Sequence, residues 1–407
     1  MGGKVKEYRI ETIDDFTDLL QRWYAADHEG FATMFDAAVE NVKPVPEGVG
    51  SEVRHDWRNS TIDDLCDFFR SWDKWEPGVD SGLVFIEKFS WLNYENDYGM
   101  VFVTSGPGCE MTALFTGLQG RYMDSEKSLG LVEKWKRQLG PRMDDYVVPP
   151  GGFKNFNDFF VRRVKDGKRP VDAPGDDTVV VAPADCVINM IVNELTEETR
   201  IPVKTVTMNV GELLGGSAYA ARFVGGTAVS CILMPDGYHR YHSPVAGRVV
   251  ESDSGIGGVY YGMRDLPGLL NGGNVGYGHD YSMFERFRRG YLVIDTGDAA
   301  RGHVGMVPVG LNSIASVEFR PELSRVRPEN PVPIAKGEEV GCFKYGGSLN
   351  ILLFEKGCFP ALQLLQGQRI GLLEDPGEPR SLFTGPAARR PGAFRSDLPP
   401  HGRRAVP

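Results

Sequence analysis

The sequence has 407 residues, 41% hydrophobic and 25% charged, the balance of a soluble globular protein long enough for two or three folding units. A formal net charge of −10 argues against a general binder of nucleic-acid backbones. No run approaches the ~20 apolar residues of a membrane-spanning helix, so no transmembrane segment is expected.

The N-terminus, MGGKVKEYRIETIDDF, lacks the apolar core of a signal peptide, and Lys6 stands where a myristoylation signal wants Ser or Thr. A cytoplasmic, soluble protein is therefore expected. Residues 1–150 read as a helical accessory region. Thr12 is an N-cap candidate, and Phe16, Leu19, Leu20 and Trp23 follow at helical spacing. STIDDLCDFFRSW, from Ser60, repeats that logic with Leu65, Phe68, Phe69 and Trp72. SEKSLGLVEKWKRQLG, from Ser125, predicts a further helix closed by Gly140. VPPGGFKNFNDFF then marks a boundary. From about residue 177, short β-rich runs alternate with Gly, Pro and Asp: DTVVVAPADCVINMIV, AVSCILMP, GRVVES, GYLVIDTG, GHVGMVPVG, SIASVEF and NILLFEKG. GELLGGSAYAARF is a helical interlude. The predicted fold class is α+β, with helices in 1–150, a β-rich catalytic domain in 151–375 and a disordered Pro/Arg-rich tail in 376–407. The six cysteines (Cys66, Cys109, Cys186, Cys231, Cys342, Cys358) are scattered without a CxxC and read as reduced thiols.

Three segments carry chemistry-bearing residues: Asp185 in APADCVINM, His239 and His242 in MPDGYHRYHSPVAGRV, and Ser348 in GGSLNILLFEKG. Aspartate, histidine and serine are the parts of an activated nucleophile. Each also has a plainer reading. Asp185 makes an Asx-turn, the histidines are packing residues or two ligands of a zinc site still wanting a third, and Gly-Gly-Ser is a turn. Cys186 and Cys342 read as small packing residues.

Together these segments resemble the phosphatidylserine decarboxylase family. FNDFFVRRVKDGKRPVD is similar to its Phe-Asn-x-Phe-Phe-x-Arg entry, APADCVIN to its Pro-Ala-Asp-Gly segment, and DGYHRYHSPVAGRV to its Tyr-His-Arg-x-His-x-Pro segment. KGEEVGCFKYGGSLNILLFEKG resembles its self-cleavage segment, and the four occur in the family's order. The resemblance implies that Ser348 attacks the Gly347 carbonyl, with His242 as base and Asp185 orienting it. Cleavage between Gly347 and Ser348 would give a large chain 1–347 and a small chain 348–407 from one precursor. Residue 348 would become a covalent pyruvoyl group, the only cofactor, whose ketone condenses with the substrate's amine as a Schiff base. His239 is the candidate for proton transfer after CO₂ leaves. No metal is implied. Glycine at 346 and 347 suits the tight backbone this attack needs.

Leu349 replaces the family's threonine, and Cys186 its glycine, where a positive φ would strain a cysteine. The Gly-Gly-Ser site, the helical leader and the insertion YYGMRDLPGLLNGGNVGYGHDYSMFERFRRG look like the soluble L-tryptophan decarboxylase-like branch. The main expectation is thus a soluble, aromatic amino acid as substrate, with Tyr260, Tyr261, Tyr277 and Phe284 as pocket candidates. The alternatives are a phosphatidylserine headgroup, a non-processing serine hydrolase built on Ser348, His242 and Asp185, or an inactive binding homologue. A homodimer is expected on general frequency alone.

Overall fold

In this computed structural model, residues 8–79, 81–104, 106–196, 201–202, 207–257, 288–311, 316–359, 362 and 366 are described. The insertion candidates Tyr260, Tyr261, Tyr277 and Phe284 and the tail 376–407 lie outside them.

The leader is helical: α1 (Ile13–Ala25), α2 (Phe31–Glu40), α3 (Ile62–Lys74), α4 (Val84–Ser90), α5 (Asp97–Thr104), α6 (Gly106–Met123) and α7 (Leu129–Leu139). Helices α1 and α3 start on the capping boxes their sequences announce. The Thr12 hydroxyl accepts the Asp15 N–H and the Asp15 carboxylate accepts the Thr12 N–H, and Thr61 and Asp64 repeat the exchange. The apolar stripes of α1 and α3 are buried as their spacing requires. Helix α7 is shorter than the run from Ser125, because Glu126–Ser128 form a 3₁₀ turn; it ends at Gly140, whose φ of 52° favours glycine. The boundary segment itself folds into α8 (Phe156–Phe160), capped by the Asn155 side chain.

The remaining elements are β1 (Val187–Val192), β2 (Ile201–Pro202), β3 (Thr207–Met208), α9 (Val210–Leu213), β4 (Thr227–Leu233), β5 (Arg240–His242), β6 (Gly247–Ile256), β7 (Arg289–Asp295), β8 (His303–Leu311), β9 (Val317–Phe319), β10 (Val332–Ile334), β11 (Glu339–Phe343) and β12 (Gly347–Phe354). The fold is thus α+β. Seven strands form one sheet in the order β1-β4-β12-β8-β7-β6-β10, three form a second in the order β5-β11-β9, and β2 pairs with β3. The described pairings are antiparallel. The helical interlude is shorter than expected, α9 plus a 3₁₀ turn at Ala220–Phe223. The run from Asp177 becomes a strand only at Val187; before it, Val181 N–H donates to the Pro244 carbonyl.

One face of the large sheet, with Ile232, Val309, Leu349, Ile351 and Leu353, shares a core with Phe16, Phe69, Phe102 and Phe115 of the leader. Its other face, with Leu233, Met306 and Leu352, packs against Tyr241, Val340 and Phe343 of the small sheet. A third cluster joins Trp135 of α7, Phe156 and Phe160 of α8, and Tyr345. Residues Met1–Pro360 form one compact unit.

Candidate active site

Ser348 lies near the start of β12, an interior strand of the large sheet flanked by β4 and β8. It stands opposite Leu233 on β4 and Gly310 on β8, and is fully buried. Its Oγ has no hydrogen-bond partner among the described residues. Two residues earlier, Gly346 has φ 147°, in the region that suits glycine. Alternation along β12 puts Ser348 on the face of Leu352, toward the small sheet. Asn350 shares that face. It too is fully buried, and neither its Oδ1 nor its Nδ2 has a partner among the described residues.

The two histidines take different positions. His239 precedes β5, and its carbonyl accepts the Phe343 N–H at 2.9 Å, where β11 runs into the Lys344–Gly347 turn. The His239 ring is fully buried, 4.0 Å from the Phe160 ring centroid, with Nδ1 3.3 Å from the Gly237 carbonyl. His239 and Ser348 thus occupy the same end of the two sheets. His242 sits at the far end of β5, three residues and roughly 10 Å along an extended chain. It shares a face of β5 with Arg240, whereas Tyr241 between them fills the intersheet core.

His242 is held at both ring nitrogens. Nδ1 is 2.8 Å from the Gly337 carbonyl, which only accepts, so Nδ1 carries the proton. Nε2 therefore accepts the Tyr238 hydroxyl at 2.9 Å. Burial lowers the pKa of His242, partly offset by the Gly337 hydrogen bond and by the charges of Glu339 and Asp185. The imidazole is neutral at neutral pH, with a basic Nε2.

Asp185 lies beside this histidine's segment, since the His242 N–H donates to the Pro183 carbonyl at 2.7 Å. Its carboxylate faces Arg169, however, taking Nε and Nη2 at 2.8 Å each. Arg169 also reaches Asp145 at 2.9 Å. Among the described contacts no hydrogen bond joins Asp185 to His242. The carbonyl of Gly337, rather than an acid, fixes the imidazole's tautomer.

Sequence reasoning missed several supporting residues. Arg162, 2% exposed, donates to the Asp236 and Gly237 carbonyls at 3.2 and 3.0 Å and so shapes the turn before His239. Arg142 holds the Asp236 carboxylate at 2.5 Å. Arg240 binds the Val161 carbonyl at 2.7 Å and Glu339 at 2.5 Å, tying β5 to α8 and β11. The FNDFFVRR motif thus builds the site's frame. Cys186 packs on the intersheet core in hydrogen-bonding contact with Cys231, whose thiol that contact and burial push well above its ordinary pKa. None of the six cysteines is disulfide-bonded.

These features define an α+β protein whose Gly-Gly-Ser junction enters an interior buried strand beneath a histidine-bearing small sheet. The family pattern described as phosphatidylserine decarboxylase matches residues 156–377, more than half of the chain, and the chain belongs to that family. It is 31% identical over 275 residues to phosphatidylserine decarboxylase proenzyme 3 of Schizosaccharomyces pombe, covering 64% of this chain and 26% of that protein. It is 32% identical over 228 residues to the phosphatidylserine decarboxylase proenzyme of Anoxybacillus flavithermus, covering 54% of this chain and 77% of that one. For the Bacillus mycoides proenzyme the identity is 30% over 255 residues, covering 62% of this chain and 88% of the other. The chain therefore spans about a quarter of the fission-yeast relative and most of the two bacterial ones. Among the described residues no helix is long and apolar enough to cross a membrane.

Proposed function

We propose that the chain is a self-processing, pyruvoyl-dependent decarboxylase acting on phosphatidylserine. The observation that carries this reading is the junction itself: a fully buried serine whose hydroxyl has no partner among the described residues, two residues after a glycine at φ 147°, inside the matched region. A serine hydroxyl reaches the preceding carbonyl only from an unusual backbone, and glycine permits one. The names of the relatives move the substrate from the free aromatic amino acid expected from the sequence to the phosphatidylserine headgroup.

In the first step the Ser348 Oγ bonds to the Gly347 carbonyl carbon as the C–N bond breaks, and the hydroxyl proton ends on the freed amine. Loss of the residue-348 Cα proton then expels the Gly347 carboxylate and leaves a dehydroalanine. One water enters and one ammonia leaves, so the sequence balances without an oxidant. His242, neutral with a basic Nε2, is the base of the first step, and Asp185 acts on it through its charge. The Tyr238 hydroxyl must swing off Nε2 first, and the length of β5 between His242 and Ser348 must be closed by movement of the strand or bridged by water. His239 moves the proton that replaces CO₂. A second assignment, with His239 as processing base, is favoured by its place at the Ser348 end of the sheets. The pyruvoyl ketone supplies the electron sink that decarboxylation needs.

A denaturing gel with intact masses tests the reading. Chains 1–347 and 348–407 are expected, the smaller with a keto terminus, and Ser348→Ala should stay whole. A catalytically competent protein of a single unbroken chain overturns it, and esterase activity in that chain would identify a hydrolase instead. His242→Ala and His239→Ala decide the base, because only the true one leaves mostly uncut precursor. Released CO₂ from phosphatidylserine vesicles, but not from L-tryptophan, is expected of the processed protein. The reverse pattern returns the substrate to a free amino acid.

A further inference from the structure

Only Gly346 and Gly347 separate Ser348, locked in the sheet, from Tyr345, which is fixed just as firmly. Tyr345 is 4% exposed. Its N–H donates to Asn157 Oδ1 at 3.1 Å and its hydroxyl donates to the Gly82 carbonyl at 3.0 Å, 263 residues away in sequence. Its ring stands edge-on to Trp135, Phe156 and Phe160 at 6.1, 5.4 and 5.3 Å. The Asp124 carboxylate takes the Asn157 amide at 3.1 Å and lies 3.5 Å from the Lys344 ammonium. Gly82, Asp124 and Trp135 all belong to the helical leader, outside the matched family region.

A strained backbone persists only where its surroundings over-determine it. Here Gly347 is already paired in β12, opposite Leu311, so the anchors on either side leave Gly346, at φ 147°, between them. A loose Tyr345 would let the distortion spread back into Lys344 and relax, and the Ser348 hydroxyl would lose its approach to the Gly347 carbonyl. We propose that the helical leader is a working part of self-cleavage, holding Tyr345 through Gly82, Asp124 and Trp135 so that the unusual backbone is confined to Gly346, directly before the Gly347–Ser348 junction. Tyr345 is a positioning residue for the acyl shift, and this role rests on the self-cleavage reading.

The test uses the full chain. Tyr345→Phe keeps the ring and removes the bond to Gly82. Gly82→Ala acts from the leader side, because a methyl there would sit 3.0 Å from the Tyr345 hydroxyl oxygen. Newly made precursor is followed on denaturing gels with and without hydroxylamine, which cleaves the ester but not the amide. Tyr345→Phe is expected to stay folded with a Tm lowered by a few degrees, while its cleavage slows about five- to ten-fold, the value of one hydrogen bond. Its hydroxylamine-labile fraction should fall in parallel, and Gly82→Ala should follow the same course. Wild-type cleavage rates in Tyr345→Phe overturn the proposal, whether or not Gly82→Ala folds. So does a labile ester that accumulates in Tyr345→Phe, since the clamp would then act after the shift. A wild-type chain that never cuts itself sinks the self-cleavage reading, whereas a cut wild type with unaffected variants sinks only the leader's role.

Discussion

At the scale of single residues, the site shows how far a side chain's identity is separable from its company. His242 was legible as a candidate base, but its partners were not. Gly337, 95 residues on, meets it only through the pairing of β5 with β11, and Tyr238, four residues before it, is a generic residue type whose hydroxyl could point anywhere. The depressed pKa of His242 has a measurable sign. Its ordinary value is 6.5, and burial lowers it, so the base stays unprotonated as pH falls to that value. Cleavage of fresh precursor should be flat from about pH 8 down to the ordinary histidine range and decline only below it. A decline centred above 6.5 would remove His242 as the base. Asn350 is a different case. A lone amide inside Leu-Asn-Ile-Leu-Leu-Phe is visible in sequence, but only the register shows it fully buried on the Ser348 face. Leaving such a group unpaired costs about 1–3 kcal/mol, so Asn350→Leu, which keeps the branched side-chain skeleton, is expected to raise Tm in a thermal melt. A lowered Tm would mean that the amide is satisfied in solution.

At the scale of elements, capping chemistry was the most readable signal. Thr12 and Thr61 each open a helix where Thr-Ile-Asp-Asp says one should open. Helix α6 gave no such signal, because its buried face mixes Met111, Phe115 and Leu118 with Gly108, Thr112 and Gln119 and so does not read as an apolar stripe. Helix α4 carries an unannounced liability, the buried Glu87. Desolvation, helped by the charge of Glu52, pushes its carboxyl up to about 7 from an ordinary 4.5. A raised carboxyl pKa favours the protonated native state, so that stability is complete below about 4.5 and fades as pH rises through about 7. Glu87→Gln should therefore raise Tm near pH 8, by up to about 3 kcal/mol of stability, and change it little near pH 5. Equal gains at both pH values would show that the effect is not titration.

At the scale of the whole molecule, composition shifts near residue 150, yet one apolar core runs from Phe16 and Phe69 to Leu349 and Leu353. Nothing in the sequence pattern reports this, because both faces of a buried strand read as one continuous apolar run. The consequence for stability is direct. Removing residues 1–150 would uncover Val293, Val309, Leu349 and their neighbours on one face of the large sheet. The remaining 151–407 piece is expected to be insoluble and uncut, as fractionation and a gel would show. Soluble, fully cut material would mean that the sheet needs neither the leader's core nor its hold on Tyr345.

Ser348, with zero exposure in a strand flanked on both sides within the sheet of seven, has one more implication. No second molecule can touch that bond without prising the sheet apart. Maturation must then keep a private clock: its half-time should be indifferent to strong dilution, and finished protein added to fresh precursor should not hasten it. The same enclosure leaves the newborn end of the shorter chain threaded between its two neighbours, so the halves should travel together through any column that does not unfold them.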